Sequence, residues 1–230
     1  MLWVAHIVPK WKVLRNRGVL FWVLGCVCKK LAASSDDRVT IYDKTIMKHS
    51  LDNLSDNEWQ LYKDTISLSG TMEDLTQQLS ENGTYDKYRE IHQQYLELLN
   101  TTADDKIKTE SLKRLTFLNW YSILEPSCFT GVDNLDDKTI FNSLSILNDY
   151  IKDNKLDAEF IWMLSYYSCW DWIILTFSEN KLDELTKFVK SVDTSILHIP
   201  KNQLSKGSMD NRGQMGIYWT SVSVEKVETK

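Results

Sequence analysis

From Asp56 onward the apolar residues recur at steps of three and four, the period of helices buried along one face. Trp59, Leu61, Tyr62 and Ile66 mark a first helix, and a short second one is predicted near Met72 to Leu79. An Asn82-Gly83 turn follows, after which Thr84 is expected to cap a helix whose face reads Tyr88, Ile91, Tyr95 and Leu98. His92 flanks that face and is read as a boundary residue rather than a ligand. Thr102-Ala103-Asp104-Asp105 has the form of a capping box with Thr102 as the acceptor, and it opens a long helix to Leu124.

The second half of that helix, Phe117, Leu118, Trp120, Tyr121, Ile123 and Leu124, is apolar on every side, as expected of a helix packed all round. Pro126 stops it and Glu125 to Leu135 is predicted to be a loop. A clean stripe of Ile140, Leu144, Leu147 and Ile151 gives the next helix, with Asp136-Asp137 in its first turn complementing the dipole. Asp157 to about Phe177 is the most apolar stretch and is predicted to be one helix containing Trp162, Tyr166, Tyr167, Trp170 and Trp172. One more amphipathic helix spans Lys181 to Val192. Beyond Pro200 irregular structure is expected, with a short strand over Ile217 to Val224 suggested by its aromatic and β-branched residues.

Composition agrees with an all-α fold. Only eight glycines and three prolines occur in 230 residues, too few for the frequent turns of a sandwich. With 43% apolar residues the chain can build a packed core, which excludes a disordered chain. The expected organisation is a basic and apolar extension over residues 1–46, a helical domain over 47–200 and a tail over 201–230.

Two segments then align at an offset of 46: Leu118-Asn119-Trp120-Tyr121-Ser122 and Leu164-Ser165-Tyr166-Tyr167-Ser168. Each ends a unit of amphipathic helix, short connection and more buried helix. The spacing resembles HEAT and armadillo repeats, and that resemblance implies a right-handed superhelix of stacked antiparallel helix pairs. The same offset relates Glu125 to Asp171, placing two carboxylates on a strip with Tyr121, Trp170 and Trp172. On one reading the strip is the floor of a groove for a basic or sugar-like ligand. On the other, both carboxylates are structural, satisfying loop amides or aromatic O–H and N–H groups.

Charge narrows the partner. Residues 47–230 carry nineteen lysines and arginines against twenty-nine aspartates and glutamates, and no basic run with interleaved aromatics follows Lys48. Nucleic-acid binding is therefore not expected, and an acidic body suits a basic protein partner. Phosphate loops, HExxH and nucleophile elbows are absent from the sequence, so no cofactor and no metal are expected. The leading expectation is a non-catalytic interaction module of immunity or inhibitor type. The alternatives are a small hydrolase using Glu125 and Asp171, and a membrane-tethered lipoprotein.

That last alternative comes from the first 30 residues. Lys10, Lys12, Arg15 and Arg17 precede the apolar run Val19 to Cys28, and Val23-Leu24-Gly25-Cys26 has the form of a lipoprotein box with Cys26 as the lipidated residue. Ten apolar residues cannot span a bilayer as a helix, which needs about 20. The segment is thus read as an export signal, as an interfacial anchor, or as residues upstream of a translation start at Met47. A reducing, cytoplasmic compartment follows from cysteines set in apolar stretches, and membrane anchoring is the alternative.

Overall fold

The computed structural model describes residues 49–198 and 207–223, and expectations for residues 1–46, Cys26 included, fall outside them. The described residues are helical throughout and contain no strand. In chain order they form α1 (Leu51–Ser67), α2 (Met72–Glu81), α3 (Thr84–Thr101), α4 (Asp105–Leu124), the single turn α5 (Ser127–Thr130), α6 (Asp137–Lys152), α7 (Ala158–Tyr167), α8 (Asp171–Ser178), α9 (Asp183–Ser191) and α10 (Gly213–Ser223). None of them is long and apolar enough to cross a membrane.

Several ends are set by polar side chains. Ser50 accepts the Asn53 N–H, so α1 starts a turn and a half before the periodicity becomes regular at Asp56. The reciprocal capping box lies at Thr71 and Asp74, opening α2. At α4 the cap is Asp104, whose carboxylate accepts the Lys106 and Ile107 N–H groups, while Thr102 accepts from Asp104. Thr84 is a buried first-turn residue, and the cap position of α3 is Gly83. Pro126 ends α4 as expected. The apolar stretch expected to be one helix is broken by a 3₁₀ turn at Ser168–Trp170, giving α7 and α8.

Two burial patterns differ from the sequence expectation. In α1 the inward face is Leu54, Glu58, Leu61 and Thr65, whereas Trp59 and Ile66 are exposed. The expected strand is instead helical over 217–223, within α10, and its last residue, Val224, lies outside the described residues. Met215, Trp219 and Val222 recur at helical spacing and pack on the core, and Trp219 is wholly buried against Trp162, Tyr166 and Tyr167. Tertiary burial overrides the β propensity of that run.

The core gathers around α4, every residue of which from Ser111 to Trp120 is buried. α3 packs along α4 after a three-residue connection, α6 and the α7–α8 pair cover its other sides, and α9 closes on α6 and α8. α10 returns to lie against α1 and α4.

That return is held by ions and amides buried among the helices. Arg212 donates to both Glu110 and Glu159, and Lys113 donates to Glu159 (2.5 Å) and Asp157 (2.7 Å). Arg114 reaches Glu110, Ser55 and the Tyr95 hydroxyl, and Tyr95 in turn bonds the Glu58 carboxyl. Glu58 also accepts the Gln214 N–H, while the Gln214 amide donates to Tyr88 and to the Thr130 carbonyl. Gly213 makes this approach feasible: its φ is +57° and a Cβ there would fall inside the Glu58 carboxyl. Burial pushes the Glu58 acid up, against the nearby Arg114 charge. Around it Glu110, Asp157 and Glu159 pair with Lys113, Arg114 and Arg212.

His92 is wholly buried, with Nε2 2.7 Å from the Asn119 carbonyl oxygen, and Asn119 donates to Ser143. Desolvation pulls its pKa from 6.5 down to about 4, opposed by Asn119 and by Asp136. The unfolded chain therefore binds a proton that the folded chain refuses. Stability from this group is complete above pH 6.5 and is lost as pH falls through about 4. The full loss is about 3 kcal/mol. Glu58, shifted upward, acts in the opposite sense and weakens the fold as pH rises through its folded value. Urea unfolding of the wild type at neutral and acidic pH should show the His92 loss, and His92→Gln should remove most of the difference.

Candidate functional site

The C-terminal turn of α4, the α7–α8 junction and α10 bring their aromatic side chains together on one side of the body. Tyr121 stacks on Phe117 (centroids 4.7 Å apart) and meets the Tyr218 ring edge-on at 5.6 Å. Trp120 lies beneath, touching Tyr121, Tyr166, Tyr218 and Trp170. The Tyr166 and Tyr218 hydroxyls are 3.0 Å apart. Tyr121, Trp170 and Tyr218 are each half-buried, so the cluster surfaces as a strip rather than closing over. The Trp120 Nε1 is buried with no hydrogen-bond partner.

Glu125 stands at one end of the strip. Its N–H donates to the Tyr121 carbonyl, which places it one helical turn beyond that ring, and Pro126 then turns the chain away. Its charge acts on both the Tyr121 and Tyr218 phenols, whose pKa values rise chiefly through burial and secondarily through neighbours that include this carboxylate. Partial desolvation raises the Glu125 acid itself. Among the described residues its carboxylate has no hydrogen-bond donor and no ion-pair partner. Every other carboxylate that is not fully exposed, namely Glu58, Glu110, Asp133, Asp136, Glu159 and Glu184 among the described residues, has at least one.

Of the residues expected from sequence on one strip, Tyr121 and Trp170 both touch the Trp120 ring, and Glu125 follows Tyr121 by one helical turn. Asp171 opens α8 and is exposed, its carboxylate accepting the Trp172 N–H at 2.7 Å. Trp172 is 55% exposed. No hydrogen bond or shared partner joins Asp171 to Glu125 among the described residues. Tyr218 was not anticipated as a strip residue, because the sequence around it reads as a strand.

A separate groove of about 600 Å³ lies between α1 and α10, with Tyr62 in its lining. Exposed Trp59, stacked on Tyr62, and the rim carboxylates Asp56 and Asp210 line it. Burial raises the Cys128 and Cys169 thiols, so neither is poised as a thiolate nucleophile. No group of three His, Cys, Asp or Glu side chains is arranged to hold a metal among the described residues. Compared with family models, with characterised proteins and with solved structures, the chain matches none.

Proposed function

We propose that this chain is a non-catalytic interaction module that receives a basic surface of a protein partner on the strip of Tyr121, Glu125, Trp170 and Tyr218. The unpaired Glu125 carboxylate carries the reading. A partly desolvated carboxylate that has only water as donor gains a charge-assisted pair when a cation arrives. The surplus of acidic residues after position 46 would speed such an encounter by electrostatic steering. This is the chemistry of a small inhibitor or immunity-type protein that covers a basic site, and it gives nucleic acid no cationic face to bind. The hydrolase alternative needs Glu125 and Asp171 to act as a pair, and the exposed position of Asp171 gives it less support.

The HEAT-type reading belongs to the same proposal. It is supported by the close α3–α4 pairing and by the buried α4 segment at the core of the stack. The return of α10 to α1 is a feature that a purely linear stack lacks.

Glu125→Gln removes the charge without removing any internal contact, so the melting temperature should stay within a degree or two. Affinity for a partner captured by the wild-type chain should fall by about ten- to a hundred-fold, the scale of a hydrogen bond to a charged group. Asp171→Asn should change only the salt-dependent association rate. Isothermal titration and rapid mixing separate the two effects. Unchanged affinity in Glu125→Gln would remove this reading.

A further inference from the structure

The reading of a basic partner leaves open which cation sits on Glu125, and the surroundings discriminate. Both carboxylate oxygens lack a protein donor among the described residues, which leaves each of them free to accept one N–H of a parallel pair. An ammonium presents a compact, strongly hydrated charge and would have to shed that hydration over half-buried rings. A guanidinium is planar, weakly hydrated and able to lie on an aromatic face while donating two hydrogen bonds along one edge. Tyr121 and Tyr218, meeting at 67°, supply one ring to lie on and a second to border it. Phe117 backs the Tyr121 ring and Tyr166 holds the Tyr218 hydroxyl, so both rings are fixed before a ligand arrives.

We infer, resting on the interaction reading above, that the group received at this strip is an arginine side chain of the partner, paired to both oxygens of Glu125 and stacked against Tyr121 and Tyr218.

Short peptides test the assignment without the partner. Acetyl-Gly-Arg-Gly-amide, its lysine counterpart and its citrulline counterpart are titrated into the full chain, with the amide shifts of residues 121–125, 127 and 128 and the Trp170 indole followed by NMR. The arginine peptide should saturate these shifts with a dissociation constant about ten-fold or more below that of lysine. Citrulline, which keeps the planar shape but not the charge, should not bind. Glu125→Gln should abolish arginine binding, Tyr121→Phe should keep it and Tyr121→Leu should weaken it.

Equal affinities for arginine and lysine would overturn the assignment. So would citrulline binding as well as arginine, absence of any saturable shift, or binding that survives Glu125→Gln. If peptide selectivity fails while a captured partner still depends on Glu125, the interaction module stands and only the arginine is withdrawn. If Tyr121→Leu fails to fold, the peptide series on the wild type and Glu125→Gln still decides.

Discussion

Arg212→Met should destabilise the chain by about 3–5 kcal/mol, the scale of removing one member of a buried ion cluster. Arg212 is nine-tenths buried and donates to two carboxylates from different helices, Glu110 on α4 and Glu159 on α7. Methionine fills much of the volume but leaves both acids facing each other without their shared cation, although Arg114 still reaches Glu110 and Lys113 still reaches Glu159. The loss should therefore be recovered in part by neutralising an acid. Equilibrium denaturation of Arg212→Met, of Glu110→Gln and of the double variant gives the coupling directly. A double variant no more stable than the sum of the single losses would show that the cluster is screened and contributes little.

Trp219→Ala should cost about 3–5 kcal/mol, because a wholly buried ring leaves a cavity that its neighbours fill only in part. Its Nε1 also donates to the Tyr167 hydroxyl at 2.9 Å, and that bond is lost with it. Trp59→Ala and Trp172→Ala, on rings that are 47% and 55% exposed, should stay within about 0.5 kcal/mol. A global unfolding transition that shifts only for Trp219 would show that α10 belongs to the cooperative unit. A small effect at Trp219 would instead mean that α10 detaches without unfolding the rest.

Sequence periodicity recovers the helices whose buried faces are apolar, α3, α4 and α6, and the all-round apolar pattern at Phe117 to Leu124 marks the helix at the centre of the core. It fails where burial is polar. Glu58 lies on the inward face of α1 and Lys113 and Arg114 are buried within α4, yet charged residues read as solvent-facing until their partners are known. Those partners are remote in sequence: Arg212 meets Glu110 across 102 positions, and the Gln214 N–H meets Glu58 across 156. The one signal in the sequence is Lys113-Arg114 set between Leu112 and Leu115 just before the apolar half of α4. α10 reads as a strand because six of the eight residues from Ile217 to Val224 are apolar or β-branched, a pattern that fits both a strand and a helix, and only packing against Tyr166 and Tyr167 separates them. The strip was partly legible, since the offset of 46 links the α4 end with the α7–α8 junction, but its Tyr218 comes from the helix that periodicity missed.

The late position of Arg212, Gly213 and Gln214 also has a consequence for biosynthesis. A ribosome adds about 5–20 residues each second, and helices built from local contacts form as they emerge. α1 through α9 can thus assemble while Glu58, Glu110 and Glu159 hold only their partners Tyr95, Arg114 and Lys113 on α3 and α4. Until residues 212–219 emerge, the Trp219 site is open and these acids lack their final partners. The nascent chain therefore passes through a nearly complete but unlocked state, in which chaperones and proteases have access to its aromatic interior. Pulse proteolysis of released chains truncated before and after residues 212–219 should show protection rising sharply across that short interval.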